Sequence, residues 1–212
     1  MSAATAPSAA AKQRRTQAER REEAERSILD AAVRLVAEKG LDGFTLADAG
    51  EAAGYSRGLP AHYFGSKPDL LAAVARYIRE WFFARLEARV GGHRRGLANL
   101  IAGIDVYFDA CRDDRTMLRA LHTVLSGALH NPVIADTVVK LNRDAVKSVE
   151  VALRAGIANG EIRRSIDVDA WSVLILSSMR GVVTQCLIDP DPLDVSSLRN
   201  TFVTALKRNL TT

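Results

Sequence analysis

The chain of 212 residues lacks most of what catalysis, metal binding or secretion requires. Its two cysteines, Cys111 and Cys186, stand far apart with no CxxC spacing, which argues against a disulfide framework and for a reduced, cytoplasmic setting. Four histidines, His62, His93, His122 and His130, make no HxxxH or HExxH pair, and no cysteine stands at ligand spacing, so neither a metal site nor a cofactor is expected. GxGxxG, P-loop and GxSxG motifs are missing, and carboxylate pairs such as Asp113-Asp114 fall in a charged turn that reads as solvated surface. An enzyme is therefore not expected. Met1–Ala11 lacks the charged start and apolar block of a secretory signal. The longest apolar stretch, Ala170–Ile188, is split by Arg180, so no membrane span is expected. No alternating strand pattern of useful length occurs, which leaves an all-α fold.

What is present is ordinary for a globular protein: 48% hydrophobic and 25% charged residues, on a chain long enough for one domain or two small ones with a sizeable core. The net charge of +4 is placed unevenly. Residues 1–95 hold 16 Lys and Arg against 12 Asp and Glu, whereas residues 96–212 hold 13 of each. A basic half suits a polyanion such as DNA; an anionic membrane surface attracts the same charges, and a solvated basic surface is the plain alternative.

The basic half contains TLADAGEAAGYSRGLPAHYF, residues 45–64. Thr45 is placed to cap a helix, with Asp48 three residues on to complete a capping box. Gly54 ends that helix, and Tyr55-Ser56 leads into a second one, RGLPAHYF, capped at Ser56 or Arg57 so that Pro60 falls in or beside its first turn. Two short helices at a steep angle across a glycine turn form a helix-turn-helix, whose second member lies in a DNA major groove. Upstream, SILDAAVRLVAEKGLDGFTL is a helix stopped at Gly40, with Phe44 as an apolar plug. Downstream, Ser66 caps a third helix with Pro68 in its first turn.

These residues resemble the DNA-binding domain of the TetR family of transcriptional repressors. The resemblance covers about residues 22–82 without a gap and is carried by Ala31-Ala32, Gly40, Phe44-Thr45, Ala53-Gly54, Ser56-Arg57-Gly58, Tyr63-Phe64 and Ser66-Lys67. Two departures stand out. Ala49-Gly50 replaces the family's usual isoleucine and alanine, and Leu59-Pro60-Ala61 replaces threonine, leucine and tyrosine. Glycine inside a helix costs about 1 kcal/mol relative to alanine; closer helix packing is one way to offset that cost.

The remaining chain is helical throughout. Residues 1–15 are expected to form a disordered basic arm whose Arg14 and Arg15 can contact phosphates or the minor groove, or merely solubilise. A helix-turn-helix domain is expected over 16–66, and a helical domain for ligand binding and dimerisation over 67–212. A long amphipathic helix from Ser66 to Gly91-Gly92 links the two. Apolar faces then follow from Leu97 to Cys111, broken at the charged Arg112–Arg115, and from Met117 to Ala128, Ile134 to Leu153, Trp171 to Leu187 and Leu198 to Leu210. The helix from Trp171 is apolar on nearly all sides and needs cover on more than one of them, either from a partner copy in a four-helix dimer interface or from the chain itself.

The expected function is a homodimeric, sequence-specific DNA-binding regulator, a repressor of a near-palindromic double-stranded operator released by a small-molecule effector. A helical ligand- or partner-binding protein of the same fold without specific DNA recognition is the alternative. Arg57 and His62 are placed to bond base edges, and Leu59 or Pro60 to touch a thymine methyl. Thr45, Ser56, Tyr63 and Lys67 are placed on phosphates, with Gly58 in the same segment. Tyr107, Cys111, Arg119, His122, Arg180 and Gln185 are the polar candidates for an effector pocket among the C-terminal helices.

Overall fold

The computed structural model describes residues 16–91, 96–189, 191 and 194–211; the arm with Arg14 and Arg15 lies outside them. The described residues are helical, as the absence of strand patterning predicts: α1 Gln17–Lys39, α2 Leu46–Ala52, α3 Leu59–Phe64, α4 Lys67–Val90, α5 Leu97–Asp113, α6 Arg115–Gly127, α7 Pro132–Ala158, α8 Val168–Ile188 and α9 Val195–Leu210.

Local chemistry sets most of the boundaries. At the head of α1 the Thr16 hydroxyl accepts from the Glu19 amide (3.2 Å) while the Glu19 carboxylate accepts from the Thr16 amide (2.8 Å), satisfying two donors that a helix start leaves open. Ser66 caps α4, which ends at Gly91 in the left-handed conformation. Asp167 caps α8 through the Ala170 amide, and Asp194 caps α9, so both helices begin three residues earlier than their apolar faces suggest. The expected break at Arg112–Arg115 shrinks to Asp114 alone. The neighbouring charges are tied to α4 by Arg85–Asp114 and by Arg89–Asp109 at 2.6 Å, which holds the charged residues without unwinding them.

α1 and α3 pack on α4, with α2 on α1 and α3; α5, α6 and α7 also pack on α4, with α8 on those three and α9 on α5, so α4 is rooted in both halves of one continuous apolar core. Ile28, Val36, Leu70 and Val74 belong to the first half and Ile104, Leu118, Leu153 and Ile175 to the second. Each such side chain contributes about 1.5–3 kcal/mol when fully buried. α6 makes a second bridge. The Leu41 side chain, in the turn after α1, packs on Gly127 with Cδ1 2.0 Å from where a Cβ would stand, so any larger residue at 127 must push that side chain aside. Tyr77 Oη donates to Asp30 Oδ1 at 2.6 Å, fastening α4 to α1.

α8 differs from expectation in two ways. Its inward face, including Ile175, Leu176, Met179 and Val183, is buried, while Val173, Leu174 and Ile188 remain 51%, 55% and 72% exposed. One flank is thus covered by the chain and the other is not. By length and composition α8 also matches a membrane span in spite of Arg180, because Asp169 and Arg180 are its two charges in 21 residues and barely lower the mean hydropathy; its packing against α5, α6 and α7 makes it a bundle helix. The two cysteines, remote in sequence, are neighbours in space. Both are buried and free, and burial, reinforced by Cys186, pushes the Cys111 thiol up to about 12, which leaves it unreactive.

Candidate nucleic-acid interface and bundle cavity

α2 and α3 are built from the caps inward. The Thr45 hydroxyl accepts from the Asp48 amide at 3.2 Å and the Asp48 carboxylate accepts from the Thr45 amide at 2.7 Å, and these bonds hold the Asp48 carboxyl below its ordinary range. α2 ends at Ala52 with Ala53 as its C-cap; Gly54, with φ +78°, reverses the chain, and the Tyr55 amide returns to the Gly50 carbonyl at 2.9 Å.

The second motif helix is shorter than expected. It begins at Leu59 with Gly58 in the capping place and no side-chain cap, so Ser56 and Arg57 belong to the turn. Pro60 occupies its first turn, where a missing N–H costs little, and it is buried, which removes it as a contact for a thymine methyl. The reason is Gly50. A Cβ there would meet the Ser56 carbonyl oxygen at 2.6 Å and the Pro60 ring at 3.0 and 3.1 Å, so the two departures from the family pattern fit each other: the proline ring fills the space that the glycine leaves. Gly50→Ala is expected to destabilise the protein by about 1–3 kcal/mol through overpacking, more than offsetting alanine's better helix propensity. Thermal melting checks this, and Pro60→Ala should recover only part of the loss, since the Ser56 oxygen stays.

Five residues of the 56–64 segment are exposed, namely Ser56, Arg57, Gly58, Ala61 and His62, and so is Thr45; Leu59 and Tyr63 are half-buried. Arg57 is held to Glu51 of α2 at 2.5 Å, with its side chain 66% exposed. Lys67 donates to the Asp42 carbonyl at 3.3 Å and lies 4.8 Å from the centre of the Phe44 ring, so it is fixed beside Thr45. The Arg21 guanidinium sits 5.6 Å from the centre of the Tyr63 ring. Glu51 and Arg21 were not legible as parts of this surface, because the contacts join separate elements.

The second feature is a cavity of about 140 Å³ bounded by α4, α5, α6, α7 and α8. Its walls are mainly apolar, with Phe82, Leu100, Leu141 and Met179 among them. Of the six polar residues expected there, Tyr107 and Arg180 line it. Arg119 and Gln185 do not: both are exposed, because the inward faces of α6 and α8 run through their neighbours Leu118, Ala120 and Cys186. Cys111 lies outside the lining beside Cys186. His122 also lies outside the lining, with Nδ1 3.1 Å from Thr184 Oγ1. Arg79, Asn99 and Ser148 line the cavity without having been expected.

Burial, and secondarily the Arg180 charge, lowers His122 to about 4, so the ring is neutral near pH 7. A base whose folded pKa lies below its unfolded value of about 6.5 stabilises the fold above that value, and the contribution is lost as pH falls from 6.5 towards 4. The gap in melting temperature between pH 7.5 and 4.5 should therefore narrow in His122→Gln.

A family model for bacterial regulatory proteins of the tetR family matches residues 28–74, and a model for the C-terminal domain of BetI-type transcriptional repressors matches residues 97–211. The HTH-type transcriptional regulator CymR of Pseudomonas putida is 28% identical over 190 residues, covering 88% of this chain and 91% of CymR. BetI of Burkholderia cenocepacia is 31% identical over 108 residues, half of this chain and 56% of BetI. A transcriptional regulator of Saccharomonospora viridis, solved in complex with choline, superposes with a TM-score of 0.78 at 21% identity, over 90% of this chain and 99% of that one. With an exposed helix-turn-helix surface on an all-α bundle, and with family models matching both halves, the chain belongs to the TetR family of DNA-binding transcriptional regulators.

Proposed function

We propose that the protein is a cytoplasmic homodimeric repressor that binds a near-palindromic operator and is released by a small molecule held in the bundle cavity. The observation that carries the DNA half of this reading is the exposed Ser56, Arg57, Gly58, Ala61 and His62 on a motif whose other side is packed into the core. Arg57 and His62 read base edges, while Thr45, Ser56, Tyr63 and Lys67 take phosphates and set the register.

Dimerisation is supported by the apolar flank of α8, where Val173 and Leu174 are about half exposed, beside the small residues Ser177 and Gly181 that permit close helix approach. The effector role is supported by the cavity and by the relative solved with a bound small molecule. Coupling between the sites would run through α4 and through the α6–Leu41 contact. A ligand shifts the DNA-binding form only by the difference of its affinities for the two arrangements. Selection from random duplexes tests the DNA claim. Enrichment of an inverted repeat with half-sites about one helical turn, or a multiple of it, apart is expected; no enriched motif would refute it.

A further inference from the structure

The cavity carries a chemical signature beyond its shape. Three polar atoms of its lining are buried without a hydrogen-bond partner: Tyr107 Oη, Arg180 Nε and Arg79 Nε. Tyr107 is only 7% exposed, and its ring is fixed by stacking on Phe82 at 5.0 Å and 20°. Burial pushes its phenol up to about 12 against the pull of the Arg180 guanidinium, so the hydroxyl keeps its proton and serves as a donor. Arg180 bonds the neutral Asn142 Oδ1 at 2.5 Å, and no carboxylate pairs with it among the described residues. Arg79 has a carboxylate partner, Asp144, at 3.2 Å. The lining includes no Asp or Glu.

An uncompensated guanidinium in an apolar enclosure is costly, and a ligand anion relieves that cost. Resting on the effector reading above, we propose that the cavity binds a small organic monocarboxylate, its carboxylate on Arg180 and the Tyr107 hydroxyl and its compact apolar body among Phe82, Leu100, Leu141 and Met179. Charge-assisted bonds from a guanidinium and a phenol match the two oxygens of such a group. The volume suits a compact body: about 140 Å³ is close to the engineered 150 Å³ apolar cavity that holds one benzene ring, so a single ring or a branched chain of similar bulk fits. A quaternary ammonium such as the choline bound by the Saccharomonospora relative is excluded by sign, since such cations seek aromatic cages or carboxylates and meet arginines here.

Calorimetric titration of the DNA-free protein with benzoate, cyclohexanecarboxylate, benzamide and choline tests this. Both carboxylates should bind at least tenfold more tightly than benzamide, as expected for losing a charge-assisted bond, and choline should not bind. Arg180→Met should abolish the preference for benzoate over benzamide. Tyr107→Phe, which removes only a buried hydroxyl beside the Arg180 guanidinium and so keeps the fold, should weaken benzoate roughly five- to tenfold and leave benzamide unchanged. Equal affinity for benzoate and benzamide, no binding of either carboxylate, preference for choline, or an unaltered benzoate preference in both variants would overturn the assignment. Release from DNA is measured separately. If the carboxylates bind as described but DNA affinity stays constant, the ligand class stands and the effector reading fails.

Discussion

Arg57→Ala should lower affinity for the selected operator by about 30- to 10⁴-fold, since a bidentate arginine–base contact is worth about 1–3 kcal/mol and a two-fold dimer makes it twice. The fold should not suffer. The Arg57 side chain is 66% exposed and its ion pair is with the equally superficial Glu51, and exposed pairs of this kind contribute little to stability. Circular dichroism and melting temperature should thus match the parent while fluorescence anisotropy on labelled duplex records the loss. Glu51→Ala supplies a control of opposite sign: it removes a carboxylate from the proposed DNA-binding surface and frees Arg57 from its competing partner, so affinity should rise.

Leu174→Asp addresses the other large effect. Leu174 is 55% exposed on a helix whose opposite face is already buried, so a carboxylate there costs the isolated subunit little but places a charge in the middle of the proposed interface, twice over. Light scattering should show a monomer in place of a dimer. Operator affinity should fall by about 10²–10⁴-fold, because the second half-site contact is no longer intramolecular. A dimer of undiminished stability would place the interface elsewhere on the molecule.

How much of this was legible in the sequence depended on how local the chemistry was. The capping residues Thr45 and Ser66 act within three residues of themselves, and each stands where the spacing predicts. Gly54 and Gly91 likewise reveal a positive φ through the chain's need to turn. The start of α3 was misplaced because its determinant is tertiary. Gly50 and Pro60 lie ten positions apart, and their contact explains how a glycine inside α2 is accommodated. The cavity shows the same divide. Tyr107 and Arg180 were visible as polar residues within apolar helices, whereas Arg119 and Gln185 passed the same test and point outward. Periodicity identifies a face without fixing its edges, and one position along a helix turns a side chain by about 100°. Arg79, Asn99 and Ser148 gave no signal, since each reads as an ordinary polar residue at the border of an amphipathic helix until five helices close around it. The nearness of Cys111 and Cys186 was invisible for the same reason.

The surface formed by Ser56, Arg57, Gly58, Ala61 and His62 carries the whole functional account, and titration of the purified protein onto duplex DNA over a series of salt concentrations tests it most directly. The operator recovered by selection should bind at least 10³-fold more tightly than a scrambled duplex of the same composition, and both affinities should fall with salt as phosphate contacts are screened. Equal affinity for the two duplexes at every salt concentration would contradict the account.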